Sequence, residues 1–216
     1  MLSATAFIAD LIEAQALQFG QFQLKSGLQS PYFMNLGNIA CGSGIDKVGY
    51  AFAKRISELN FNPDILFGPA YKGIPLATTT STNLLNFGVD VGVAFNRKEV
   101  KQHGEGGSLV GAELRSKRVL IIDDVITDGA SKIEAAELVR QNGGKPIGVL
   151  VALDRKEREP VSGRTYLETV EEKMGLGVYS VATIKDVLAY LELHDHLSDT
   201  LAVLKSYATE HCVLTT

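Results

Sequence analysis

The chain has 216 residues, is 45% hydrophobic and 21% charged, and carries a formal net charge of −4. That length suits one domain with a sizeable core, and the acidic balance argues against a general binder of nucleic acid or membrane surfaces, so any anion site has to be built locally. Cys41 and Cys212 lie far apart without metal-ligand spacing, as in a chain from a reducing cytoplasm, while no signal peptide or membrane-length apolar run is visible.

Ile8, Leu11, Ile12 and Leu17 recur at helical spacing and predict an amphipathic helix ending near Gly20. Phe22 to Lys25 alternates as a short strand, Ser26-Gly27 and Ser30-Pro31 mark a turn, and Tyr32 to Leu36 is a second strand. Ser43 is placed to cap a helix in which Ile45, Val48, Phe52, Ile56 and Leu59 share one face, with Asn60 as its stop. Residues 65–67 read as a buried strand. The loop Gly68-Pro69-Ala70-Tyr71-Lys72-Gly73 then leads into a helix with Pro75 in its first turn. Val89 to Asn96 alternates into another strand, and Arg97 to Gly111 reads as a long polar connection. Val119-Leu120-Ile121-Ile122 is an unalternated apolar run, the mark of a strand buried on both faces. A helix over 133–142 closes at Gly143-Gly144, a buried strand over 147–153 ends at Asp154-Arg155, and a last strand over 178–183 precedes helices over 184–191 and 197–210.

From residue 43 onward strands and helices alternate. The fold class is therefore α/β, with a mostly parallel central sheet, right-handed crossovers and helices on both faces. The expected arrangement is a single domain: a small N-terminal subdomain mainly over 1–40, a core over roughly 43–190 and C-terminal helices over 184–210.

The chemistry centres on Asp123-Asp124, which ends the longest apolar run. Open α/β sheets bind ligands at the carboxyl ends of their strands. The turn that follows, Thr127-Asp128-Gly129-Ala130-Ser131, offers backbone amides, hydroxyls and a helix N-terminus, which together favour an anion such as phosphate. Carboxylates repel phosphate, so the acids should instead take hydrogen bonds from hydroxyls or hold a hydrated Mg²⁺. Acids for sugar hydroxyls beside a phosphate cradle describe a ribose 5-phosphate site. In a parallel sheet the loops at 70–73, 97–107, 124–131 and 155–158 meet at one edge. Lys72, Arg97, Lys98, Lys101, His103 and Arg155 then gather beside the acid pair, as a substrate with several phosphates requires. The stretch from Arg97 to Gly107 is cationic and ends in glycines, so it should fold over an anion. No Ser-His-Asp or Cys-His arrangement suggests a protein nucleophile. His194, His196 and His211 lie amid helical patterns and read as solvated helix ends, and Glu168, Glu171 and Glu172 as a solvated helix face.

The Asp123–Ser131 stretch resembles the PRPP-binding signature of the type I phosphoribosyltransferases. Leu24 to Gly27, Ser30 to Phe33, Gly68 to Pro75, Asn96 to Glu99 with Lys101, His103 to Gly107, the acid pair and Leu153 to Arg155 are similar, in this order, to the orotate phosphoribosyltransferases. The resemblance covers roughly residues 19 to 190. It implies a type I phosphoribosyltransferase-like fold whose N-terminal subdomain is a hood. The implied reaction is orotate with PRPP giving orotidine 5′-monophosphate and pyrophosphate, in de novo pyrimidine synthesis. It implies Lys101, His103, Asp123 and Asp124 as catalytic. PRPP would be held by Lys25, Tyr71, Lys72, Arg97, Lys98, Lys101, His103, Asp123, Asp124 and the Val125-Ile126-Thr127-Asp128-Gly129-Ala130-Ser131 turn. Orotate would be framed by Lys25, Phe33, Met34, Thr127 and Arg155, with Arg155 pairing its carboxylate. The implied cofactor is Mg²⁺, carried mainly by PRPP, with Asp124 reaching it through water. The implied assembly is a cytoplasmic homodimer that shares the loop from Arg97 to Gly107 across its interface, with no nucleic acid and no membrane involved.

Departures from the family pattern are Asp128 and Ala130 in the phosphate turn, where small neutral and hydroxyl residues are usual, and Met34 in place of an aromatic. A purine phosphoribosyltransferase would share the acid motif but has no evident need for Arg155. A non-catalytic PRPP sensor would call for a basic nucleic-acid surface, and a phospho-accepting receiver domain fits the cationic loop poorly.

Overall fold

The apolar run that ends at Asp123 lies in the middle of a sheet, flanked on each side by another buried strand. The computed structural model describes residues 4–24, 26–101, 107–126 and 129–214, and the side chains of all of these except 98–101 and 107–108. Among the described residues the sheet holds β3 (Ile65–Phe67), β4 (Gly92–Lys101), β5 (Gly107–Gly111), β6 (Arg118–Val125), β7 (Lys145–Asp154) and β8 (Val178–Thr183), in the order β5-β4-β3-β6-β7-β8. Every pairing is parallel except that of β5 with β4 at the edge.

Side chains alternate across a strand, so a run buried on both faces must feed two cores. On one face Leu66, Leu120, Ile122 and Leu150 pack with Phe52, Ala77, Val187 and Leu204. These come from α2 (Gly42–Glu58), α3 (Gly73–Leu84), α6 (Ile184–Glu192) and α7 (Ser198–His211). On the other face Phe67, Val119, Ile121 and Val149 pack with Ala135, Val139, Val170 and Met174, from α4 (Ala130–Gln141) and α5 (Tyr166–Met174). Helices thus cover both faces, as the alternation of elements required.

The N-terminal elements are α1 (Ala4–Glu13), β1 (Leu17–Gln23) and β2 (Gln29–Met34), with β1 and β2 forming an antiparallel ribbon. The expected first helix is shorter than its periodicity suggested. Gln15 takes a left-handed φ of 54°, and the chain turns there into β1, so Leu17 is buried opposite Met34 in the ribbon rather than on a helix face. Phe7, Ile8 and Leu11 of α1 join the main core beside α2 and α6.

Other expectations shift by local geometry. Cys41 rather than Ser43 occupies the cap position of α2, and its side chain makes no capping hydrogen bond. Asn60 does mark the stop, with φ 54° just past the helix. The segment from Arg97 to Gly111 is largely a hairpin: β4 runs on to Lys101, and β5 returns with Asn96 opposite Leu109. Glu168 and Glu171 do more than face solvent. Glu168 completes a capping box with Thr165, and Glu171 accepts a 2.6 Å bond from the Val178 amide.

Candidate active site

Parallel pairing of β3, β4, β6 and β7 places their C-terminal ends on one edge, and the acid pair stands at its centre. Asp123 is only 6% exposed. Its Oδ1 accepts from the Asp124 amide at 2.9 Å, and its Oδ2 lies 2.6 Å from Lys132 Nζ. Asp124 is less enclosed. Its Oδ1 accepts from the Val125 amide at 2.8 Å and its Oδ2 from Lys72 Nζ at 2.9 Å. Burial pushes the Asp123 carboxyl above its usual range, with Lys132 pulling the other way and Asp124 adding to the rise.

Lys132 was not anticipated. It sits in the first turn of α4, is 5% exposed, and also donates to Ser131 Oγ at 3.1 Å. A cation at a helix N-terminus opposes the helix dipole, so its place is explained by the acids it meets. A sequence signal did exist. Lys132, Ala135, Ala136 and Val139 fall at i, i+3, i+4 and i+7, and all are buried on the inward stripe of α4.

Helix α4 opens at Ala130 and Ser131, both exposed, with Gly129 at the cap position. Gly129 has φ 77°, and a Cβ there would come within 2.0 Å of Val170 Cγ2. A glycine is therefore required by both backbone and space, and it leaves this helix end without a side-chain cap of its own.

The loop after β3 is bound down at several points. The Gly68 amide donates to the Ala94 carbonyl at 3.0 Å, and the Ala70 amide to Asn96 Oδ1 at 2.8 Å. A Cβ on Gly73 would meet Gly68 C at 2.8 Å and the Ile122 carbonyl at 2.9 Å, so the loop lies close against β6. The Ala70–Tyr71 peptide is cis. Lys72 and Tyr71 project from this loop, Tyr71 being 67% exposed. Asn96, which the sequence analysis names only as part of a matching stretch, holds a backbone amide across the sheet.

Arg155 follows β7 at the same edge but is buried. Its Nε donates to Glu157 Oε1 at 2.8 Å and its Nη2 to Ser30 Oγ at 2.7 Å, and the guanidinium lies 3.9 Å from the centre of the Tyr32 ring. On β2, Phe33 faces outward and stacks on Phe22 at 5.4 Å, whereas Met34 turns into the core. The structure thus brings together Lys72, Asp123, Asp124, Val125, Ile126, Gly129, Ala130 and Ser131, with Arg97 half-buried on β4. Lys25, His103, Thr127 and Asp128 lie outside the described residues, as do the side chains of Lys98 and Lys101.

Away from this edge, a hollow of about 580 Å³ is lined by Arg164, Glu168, Glu171 and Glu172 on the α5 face. Its acids are already paired, Glu168 in the capping box, Glu171 with the Val178 amide and Glu172 with Arg164, so the chemistry is placed at the strand ends. Among the described residues no group of three or more His, Cys, Asp or Glu side chains could hold a metal ion. His194 is occupied by the Tyr190 carbonyl at 2.7 Å.

The edge of the parallel sheet thus carries a carboxylate pair met by Lys72 from the loop after β3 and by Lys132 from the first turn of α4. The family model "Phosphoribosyl transferase domain" matches residues 41–183, and the chain belongs to that family. Within it the chain is similar to orotate phosphoribosyltransferases. It is 46% identical over 210 residues to that of Laribacter hongkongensis, covering 96% of each chain. It is 43% identical to that of Stenotrophomonas maltophilia, covering 96% of this chain and 95% of the other. A crystal structure of the Francisella tularensis orotate phosphoribosyltransferase superposes with a TM-score of 0.83 at 33% identity, covering 96% of this chain and 99% of that one.

The buried Lys132–Asp123 pair makes a stability prediction. Lys132→Met leaves the carboxylate enclosed without its cation and should cost about 3–5 kcal/mol at pH 7. Protonating Asp123 removes that stranded charge, so the deficit should shrink as pH falls toward 5. Urea unfolding of both proteins at the two pH values measures this. An equal deficit at both would contradict it.

Proposed function

We propose that this chain transfers the phosphoribosyl group of PRPP to orotate, forming orotidine 5′-monophosphate and pyrophosphate on the way to UMP. The observation that carries the reading is the acid pair at the end of β6 beside the exposed start of α4, with Lys72 reaching Asp124 from the facing loop.

The 5′-phosphate is taken by the 125–131 turn, where α4 presents backbone amides and the Ser131 hydroxyl. Asp123 and Asp124 accept from the ribose hydroxyls. As the C1′–O bond to pyrophosphate breaks, positive charge grows on the ribosyl ring and negative charge on the leaving group. Tyr71, Lys72 and Arg97 face that leaving group from their side of the edge. Lys98, Lys101 and His103, with Lys25, complete the cationic surround. Orotate supplies its own ring nitrogen as nucleophile, and Phe33, Thr127, Lys25 and Arg155 frame it, Arg155 pairing with its carboxylate; Met34, expected there too, is turned into the core instead. Lys101 and His103 assist charge or proton transfer at the departing oxygen.

The donor set bears on Mg²⁺. Both oxygens of Asp124 are engaged by the Val125 amide and Lys72, and Asp123 is neutralised by Lys132. This fits a metal carried in on PRPP and touching Asp124 only through water. The chemistry Mg²⁺ supplies when bound is neutralisation of the leaving pyrophosphate.

β5 and β4 end the sheet on this side, and the assembly proposed is a homodimer in which the Arg97–Gly107 segment serves the neighbouring site. A cytoplasmic location accords with two free cysteines and with the lack of any membrane-length helix among the described residues.

With PRPP and Mg²⁺ the purified protein should consume orotate, read as loss of its ultraviolet absorbance, and a chelator should stop the reaction. Turnover of a purine base, or no turnover, would overturn the reading. For the dimer, mixing Lys101→Ala with Asp124→Asn should restore part of the activity that each lacks alone, through hybrid sites. No recovery in a mixture shown to exchange subunits would refute the shared segment.

A further inference from the structure

Around Arg155, the residue proposed to meet the base, stands a buried polar assembly whose other members have no part in the proposed reaction. Arg155, Glu157, Tyr207 and Ser30 are all nearly inaccessible, Arg155, Glu157 and Tyr207 at 7% exposure. Lys156 takes a left-handed φ of 51°, and beyond this bend Glu157 is bridged to Cys212 and turned back onto Arg155. Glu157 Oε1 accepts from Arg155 Nε and Nη2 and from the Tyr207 hydroxyl. Burial and then the bond to Glu157 push the Tyr207 phenol above its usual range, which keeps it a donor.

The far side of Arg155 is tied to the N-terminal ribbon. Ser30 Oγ accepts from Nη2 and in turn donates to the Tyr32 carbonyl at 2.8 Å, and the Tyr32 ring lies under the guanidinium. The backbone is pinned as well. The Arg158 amide donates to the His211 carbonyl and the Val213 amide to the Lys156 carbonyl, each at 2.8 Å. A buried ion pair is a poor stabiliser compared with apolar side chains of similar volume. It does fix direction, because the guanidinium fork admits few orientations once Nε and Nη2 are committed.

We propose that Glu157, held by Tyr207, is a positioning residue that aims Arg155 at the orotate carboxylate and makes the last helix part of base recognition. The proposal rests on the reading that Arg155 meets the base, and the experiment separates the two. KM for orotate and for PRPP is measured for Arg155→Gln, Glu157→Gln and Tyr207→Phe. Losing a charge-assisted bond to a buried group should raise the orotate KM about tenfold in Arg155→Gln and Glu157→Gln, and about threefold in Tyr207→Phe, with the PRPP KM changed less than about twofold. If Arg155→Gln raises the orotate KM while folded Glu157→Gln and Tyr207→Phe do not, the positioning role is overturned and the base contact stands. If Arg155→Gln leaves the orotate KM unchanged, the base contact falls and the proposal with it. Equal rises for both substrates in Glu157→Gln and Tyr207→Phe would show a merely structural role and also overturn it. Should Glu157→Gln fail to fold, Tyr207→Phe, which keeps the ring against Tyr32, decides alone.

Discussion

A carboxylate at the end of a strand buried on both faces is an expensive thing to enclose, and the site follows from how that is managed. Asp123 stands where β6 leaves the core, too deep for water to screen it well. Lys132 reaches it from the first turn of α4 and Lys72 reaches its neighbour Asp124 from the loop after β3. Because one cation comes from the loop after β3 and the other from α4, the ion pairs also fix that loop and that helix against the strand. The 68–73 loop, the acids and the start of α4 become one unit, in which the exposed helix end lies beside acids already met by lysines. That is the balance the proposed ribose 5-phosphate site needs: acceptors for the hydroxyls beside donors for the phosphate.

The base side follows a different logic. Arg155 could have been an exposed cation at the strand edge, but it is embedded among Glu157, Ser30 and Tyr32. The pieces around it come from β2 of the N-terminal ribbon, from the 155–158 segment and from α7, which are distant in sequence. Ribbon and C-terminal helix are therefore joined at the residue proposed to recognise orotate. The Met34 departure is consistent with this division: the side chain is core, and Phe33 is the residue of that strand turned outward.

Much of this was legible in the residues because it depends on local pattern. The apolar run before Asp123, the alternation of strands and helices after residue 43 and the Gly-rich punctuation gave a parallel sheet, and a parallel sheet brings the strand-end loops together. What escaped reading depends on partners far along the chain. Leu17 fits a helical period yet pairs with Met34, because Gln15 turns the chain first. The return of β5 along β4 is a long-range pairing that a polar, charged stretch does not advertise. Lys132 and Glu157 belong to no motif read from the sequence: each is defined by a partner on another element, Asp123 on β6 and Tyr207 on the last helix.

The account is tested most directly by a crystal structure with orotidine 5′-monophosphate bound. It predicts the phosphate against the amides of the Gly129–Ser131 turn, with the ribose hydroxyls donating to Asp123 and Asp124 while Lys132 keeps its contact with Asp123. A nucleotide whose phosphate lies elsewhere, with the acid pair making no contact to the sugar, would contradict it.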